Sequence, residues 1–253
     1  MIELRRLTKR YGRTLAVDHL DLEVARGEIF GFLGPNGAGK TTTIRMMMGL
    51  LQPSEGQIVL GGHDLHGEPL LAKQLCGFVP DRPHLYEKLT GLEFLDFNAD
   101  LYQIPSAERL TRRQQLLRLF DLEEWRDELV ESYSHGMKQR LVMAGALMHA
   151  PRILVVDEPT VGMDPRGARL LKQVFRNLAG DGATVFMSTH SLEVAEELCD
   201  RIGIINRGKL IALGSLSELR EQSGRHGDST LESIFLGLTD GEEDSEGELA
   251  LRA

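Results

Sequence analysis

Apolar and polar residues alternate at a period of two in two runs at the start of the chain: Ile2 and Leu4, then Leu20, Leu22 and Val24. A basic, glycine-containing stretch from Lys9 to Arg13 separates the runs, so the pattern predicts two half-buried strands joined by a turn. Ile29–Leu33 is a short, unbroken apolar run that opens directly into the segment Gly34 to Gly39. Over residues 41–51 the apolar period lengthens to that of a helix, and the stretch containing Pro53 and Gly56 stops it. Residues 57–60 followed by Gly61 and Gly62 predict a hairpin. Residues 88–150 are rich in Leu, Glu, Arg and Ala at helical spacing. Strand-like runs return at 153–156, 184–187 and 202–205, with helical stretches at 172–178 and 192–199 between them. Residues 208–214 predict a final edge strand.

Strand–helix alternation interrupted by a helical insert predicts an α/β fold. Its parts are an open sheet, a small antiparallel lobe at the N-terminus and an inserted helical lobe over about residues 82–150. Residues 1–220 form the expected domain and 221–253 a C-terminal extension, whose acidic part from about Glu242 reads as disordered. Met46, Met47 and Met48 read as packed helix surface, and Trp125 as packing within the helical lobe.

Composition narrows this picture. Apolar residues at 42% and charged residues at 26% are an ordinary globular balance, which removes fibrous and wholly disordered classes. The net charge of −9 argues against an extended nucleic-acid surface. More than half of it lies in residues 240–253, which hold six acidic residues and one Arg. Cys76 and Cys199 form no CxxC pair, so two reduced thiols of a cytosolic protein are expected rather than a metal or disulfide framework. The N-terminus lacks a signal-peptide pattern, and no stretch reaches the roughly 18 apolar residues of a membrane span. If the chain serves a membrane process, the spanning part is expected on another polypeptide.

The candidate chemistry starts at Gly34, Pro35, Asn36, Gly37, Ala38, Gly39, Lys40 and Thr41, which fit G-x-x-x-x-G-K-[ST] in full. Glycines let such a loop turn its N–H groups inward onto a phosphate, and the following helix, which carries Thr42, adds its positive end. Lys40 would reach the β- and γ-phosphates, and the Thr41 hydroxyl would bind Mg²⁺. A second apolar run, 153–156, ends in Asp157 and Glu158. Asp157 can hold Mg²⁺ directly or through water, and Glu158 can accept a proton from an attacking water, the two needs of phosphoryl transfer. His190 ends a third run. A single histidine there is more often structural, but parallel strands deliver their C-terminal ends to one ligand crevice, and three compatible ends favour a site.

With these motifs in this order the chain resembles the ABC (ATP-binding cassette) ATPase family over about residues 2–220. Gly34 to Thr41 resembles its Walker A loop, and residues 153–158 resemble its Walker B strand and catalytic glutamate. Val161, Gly162, Met163 and Asp164 resemble the D-loop, and His190 resembles the switch histidine. Tyr11 falls where the family stacks an aromatic on adenine, and Ser134 and Gly136 fall in the signature. The resemblance implies a RecA-like core with the two lobes already predicted, ATP and Mg²⁺ as cofactors, and a head-to-tail dimer sandwiching ATP. The dimer would be of this chain with itself or with another ATPase subunit. It further implies separate transmembrane permease subunits, a peripheral place on the inner face of the cell membrane, and coupling of ATP-driven closure to transport. A soluble ABC protein acting in cofactor assembly or on nucleic acid is the rival class. This chain has one cassette and none of the long insertions that usually mark the nucleic-acid members, so no nucleic acid is expected.

Two departures stand out. The signature has Tyr133 for Leu, His135 for the first Gly and Met137 for Gln, so its backbone is expected to differ. Asp81 replaces the Q-loop glutamine, in a stretch from Pro80 to Tyr86 that resembles bacterial type-2 exporters. There Asp81 would be a further ligand toward Mg²⁺, with turn capping as the plainer reading.

Overall fold

The computed structural model describes residues 1–82, 85–159, 164–222 and 230–239. In chain order the first elements are β1 (Ile2–Tyr11), β2 (Thr14–Val24), β3 (Ile29–Leu33), α1 (Lys40–Met47), β4 (Glu55–Leu60) and β5 (His63–Asp64). There follow α2 (Pro69–Gln74), β6 (Cys76–Val79), α3 (Gly91–Leu101), α4 (Ser106–Leu119) and α5 (His135–Leu147). The chain continues with β7 (Ile153–Asp157), α6 (Pro165–Gly180), β8 (Thr184–Thr189), α7 (Leu192–Leu198), β9 (Arg201–Asn206) and β10 (Lys209–Gly214). It ends, as described, with α8 (Leu216–Gln222) and α9 (Leu231–Thr239).

The described strands form a four-stranded antiparallel sheet, β2-β1-β4-β5, and a six-stranded sheet, β10-β9-β3-β8-β7-β6. In the larger sheet every pairing is parallel except β10 with β9. Both of its faces are covered, which is why its strands read as unbroken apolar runs. Phe30, Phe32, Ile153, Val155 and Phe186 point into one core, shared with the antiparallel lobe and α1. Ile29, Leu154, Val156, Val185 and Met187 point into the other, shared with the helical lobe. The rings of Phe30 and Phe32 each lie 5.5 Å from that of Phe186, and fully burying one such side chain contributes roughly 1.5–3 kcal/mol. A third cluster joins Leu231 and Ile234 of α9 to Leu33, Ala195 and Ile204.

The helical lobe is tied to the edge strand β6. Tyr102, just after α3, stacks on His149, just after α5, with centroids 3.6 Å apart. Both side chains donate to the Cys76 carbonyl, Tyr102 at 3.4 Å and His149 Nε2 at 3.1 Å. Burial holds the His149 imidazole down at about 4, so it is neutral, and its Nδ1 is buried with no partner among the described residues.

Several elements differ from the sequence reading. The first turn is only Gly12 and Arg13, since Lys9 to Tyr11 continue β1. α1 stops at Met47, because Met48 caps it and Gly49 takes the left-handed φ of 61°. Met46, Met47 and Met48 are core residues. Trp125 is 44% exposed, in a 3₁₀ turn, so it does not pack the lobe as expected. The strand β6 is too short, and interrupted by Gly77, to show a period. Inside the supposed extension, α9 packs on the body of the protein. The expected disorder from Glu242 lies outside the described residues.

Candidate active site

Four adjacent parallel strands end at one edge. Leu33 of β3 is level with Thr189 of β8, Asp157 of β7 with Ser188, and Val79 of β6 with Val156. The residues just beyond these ends therefore converge: the loop 34–39, His190, Glu158 and Asp81. A cavity of about 250 Å³ there is walled by Ala16, the run Asn36 to Thr42, Asp81, Asp157 and Glu158.

The loop is shaped by its glycines at two points. Gly39 has φ 113°, and a Cβ there would sit 2.6 Å from the Ala16 carbonyl. A Cβ on Gly34 would sit 2.3 Å from the Ile205 carbonyl. Neither position accepts a side chain without backbone movement. Lys40 begins α1 and is buried, its ammonium donating to the carbonyls of Gly34 at 2.6 Å and Pro35 at 3.2 Å. Burial lowers its pKa, while Glu158 and Asp157 favour its charged form. It can exchange the loop carbonyls for phosphate oxygens with little movement of its stem.

Asp157 is 4% exposed and is held by Ser188 Oγ and by Thr41 Oγ1, the latter at 3.3 Å. Burial raises its carboxyl above the usual range, and Glu158 and Asp81 add to this, whereas the two hydroxyls oppose it. The hydroxyl of Thr41 and the carboxylates of Asp157 and Asp81 are hard oxygen donors. Mg²⁺ takes one or two such carboxylates together with nucleotide phosphates and water, so the residues fit that ion. Among the described residues no cluster of three His, Cys, Asp or Glu forms a metal cage by itself.

Glu158 adopts φ 53°, a left-handed conformation that costs a non-glycine residue about 1 kcal/mol or more and clusters at functional sites. Its backbone N–H donates to Ser188 at 3.1 Å, and its Oε2 accepts from His190 Nδ1 at 2.8 Å and from the His190 N–H at 3.3 Å. The histidine thus fixes one carboxylate oxygen.

The remaining predicted residues lie apart. Tyr11 is half exposed at the end of β1, with the Lys9 ammonium 5.2 Å from its ring centre, and Ala16 rather than Tyr11 walls the cavity. Ser134 caps α5, accepting from the Met137 N–H at 3.3 Å, and neither it nor Gly136 faces the cavity of its own chain. The signature substitutions have local reasons. Tyr133 is buried and its hydroxyl donates to the Trp125 carbonyl at 2.7 Å, burial pushing the phenol up to about 12. His135 and Gly136 are the first residues of α5 and neither has positive φ, so the expected change of backbone does not arise. Of the D-loop stretch, 161–163 lie outside the described residues, while Asp164 caps α6.

Sequence reasoning missed Ser188, which anchors Asp157, and Phe235 of α9. Phe235 closes a second cavity of about 290 Å³ with Gly34, Pro35, Asn36 and His190. The apolar spacing of Leu231, Ile234, Phe235 and Leu238 was the available signal for α9.

The ABC transporter family model matches residues 17–161. The chain belongs to the ABC transporter family. It is 38% identical to the linearmycin resistance ATP-binding protein of Bacillus subtilis, over 95% of this chain and 76% of that protein. It is 41% identical to a daunorubicin resistance ATP-binding protein of Streptomyces coeruleorubidus, over 85% of this chain and 68% of that one. A solved ATP-binding subunit of an ABC transporter superposes with a TM-score of 0.90 at 33% identity, covering 94% of this chain and 99% of that chain. The dimeric structure of a bacterial ABC transporter cassette gives 0.79 at 27% identity, over 85% and 99%. The cassette described here is thus an ATP-binding, ATP-hydrolysing transporter subunit of the expected α/β architecture. The rival reading as a soluble ABC protein of another kind is not favoured. No helix among the described residues is long and apolar enough to cross a membrane.

Proposed function

We propose that this cassette drives export through separate transmembrane permease subunits. The observation that carries the catalytic part is the convergence of Lys40, Thr41, Asp157 and Glu158 on one cavity at the C-terminal edge of the sheet. In this reading the loop from Gly34 to Gly39, with Lys40, Thr41 and Thr42, binds the ATP phosphates, and Tyr11 stacks on adenine. Thr41, Asp157 and Asp81 would hold Mg²⁺, which would supply positive charge beside the phosphates. Glu158 accepts a proton as a water oxygen bonds to the γ-phosphorus and the bond to the ADP oxygen breaks. His190 keeps the Glu158 carboxylate aimed. Ser134 and Gly136 act on the ATP of a second cassette, which is this chain's own copy or another ATPase subunit. Residues 1–220, with the helical lobe over 82–150, form the ATPase domain, and 221–253 an extension.

The groove lined by Phe78, Pro80, Tyr86 and Phe97, next to Asp81, suits a permease segment, which would place the cassette on the inner face of the membrane. Export is supported by the resistance proteins among the relatives, whose names place them in defence against linearmycin and daunorubicin.

Glu158→Gln keeps the shape and removes the proton acceptor. It should retain ATP binding, lose on the order of 10²–10⁴ in turnover, and accumulate with its partner cassette as an ATP-dependent dimer on size-exclusion chromatography. Wild-type single-turnover rates in this variant would remove Glu158 from the chemistry. Purification from detergent-solubilised membranes should bring a multi-span partner with the cassette, and its reproducible absence would count against the transporter assembly.

A further inference from the structure

Among the described residues, four charged side chains wall the nucleotide cavity: Lys40, Asp81, Asp157 and Glu158. Three carboxylates against one ammonium leave the cavity negative. The ammonium donates to the neutral carbonyls of Gly34 and Pro35, and its single charge does not offset the carboxylates around it. Asp157 and Glu158 are positioned by short contacts to Ser188 and His190, so neither swings away to relieve the crowding. Among the described residues Asp81 has no such anchor. Its only ion-pair neighbour among the described residues is Arg82, at 4.0 Å, whose side chain is 94% exposed. Asp81 is nonetheless close enough to be felt at Asp157, where it adds to the forces that disfavour the charged form. The Q-loop glutamine that the family pattern carries would leave this wall one negative charge fewer.

ATP is a polyanion, and the wall it meets beside the loop is therefore repulsive until a cation intervenes. We propose that Asp81 makes nucleotide binding in this cassette depend on the divalent cation: the cavity rejects metal-free ATP and admits the metal complex. The inference deepens the nucleotide-site reading and rests on it. Asp81 acts here as a specificity determinant, selecting the charge state of the ligand. Because its side chain is about half exposed, the discrimination is screened and weakens as salt rises.

The test measures ATP affinity of the full chain by titration calorimetry, once in EDTA and once in excess Mg²⁺, for wild type, Asp81→Asn, Asp81→Gln and Lys40→Ala. Asp81→Asn preserves size and Asp81→Gln restores the family residue, so a folding defect in one leaves the other informative. Both should bind metal-free ATP more tightly than wild type, on the order of tenfold at low salt, and should bind Mg·ATP no more tightly, since they lose a carboxylate toward the metal. The gain should shrink at high salt. Equal metal-free affinity in wild type and both Asp81 variants overturns the inference. So does a gain of the same size with and without Mg²⁺, which would make Asp81 a general obstacle rather than a selector. Lys40→Ala separates the two levels: if it binds ATP like wild type in both buffers, the nucleotide site itself has been misplaced.

Discussion

The loop before α1 and the N-terminus of α5 are the two ends of this cassette proposed above to meet phosphate, and the fold holds them in opposite ways. The loop is crowded from within. Side chains at Gly34 and Gly39 would strike backbone of β9 and β2, and Lys40 is buried among loop carbonyls. At the other end Ser134 is exposed, and a Cβ added to Gly136 would meet nothing within 4 Å among the described residues. Both ends offer helix N–H groups to an anion. Only the first is dictated by contacts inside the chain, so its sequence follows the family pattern letter by letter. The second tolerates His135 and Met137, because its own chain asks only for a capped helix. The cap accounts for Ser134 from within the chain, while no contact among the described residues calls for glycine at 136, as the proposed role toward a second cassette would.

The comparison breaks most visibly at Gly39. Gly39→Ala adds one methyl to a residue at φ 113° facing the Ala16 carbonyl. Strain at such a position and the forced backbone shift each cost about 1–3 kcal/mol. ATP binding by the isolated chain should fall below detection and the melting temperature should drop. An unchanged ATP affinity would show that the loop is not constrained from within.

A smaller effect on the isolated chain, and a large one on the assembly, is expected at Ser134. Ser134→Arg removes the α5 cap, worth about 1 kcal/mol, and leaves the loop untouched. ATP affinity of the single chain should stay close to wild type, while ATP-driven pairing fails. If the chain pairs with itself, mixing Ser134→Arg with Lys40→Ala leaves one composite site intact per mixed dimer, and partial activity should return. No recovery, with subunit exchange demonstrated, would argue against composite sites.

The same contrast accounts for what the sequence made legible. The loop, the Asp157–Glu158 pair and His190 could be placed because each ends a strand whose apolar run is unmistakable. Asp81 could be placed only by resemblance, since β6 is four residues long and carries no period. Ser188 was invisible because its role is a tertiary contact with Asp157 that no local pattern encodes. The α9 helix is hard to read because its apolar spacing sits in a stretch whose composition turns acidic soon after. The backbone change expected at His135 does not arise. A glycine in a motif suggests special backbone, whereas position 135 is an ordinary helical one.

Gly136→Ala gives the smallest effect and the sharpest test of the contrast. Gly136 is the second residue of α5, in helical conformation and with open space above it. Alanine is favoured over glycine in a helix by up to about 1 kcal/mol, less in a first turn. The substitution should therefore leave the isolated chain as stable as wild type or raise its melting temperature by about 1–3 °C. ATP affinity of the single chain should not change, since Gly136 does not wall the cavity. If the open space is reserved for the nucleotide of a second cassette, the added methyl meets that nucleotide only in the closed pair. Turnover of the assembled transporter should then fall on the order of tenfold while the monomer gains stability, a pairing of signs that damage to the fold cannot produce. If the assembly keeps its full rate, the space above Gly136 is solvent in both states, and only Ser134 can be credited with reaching across.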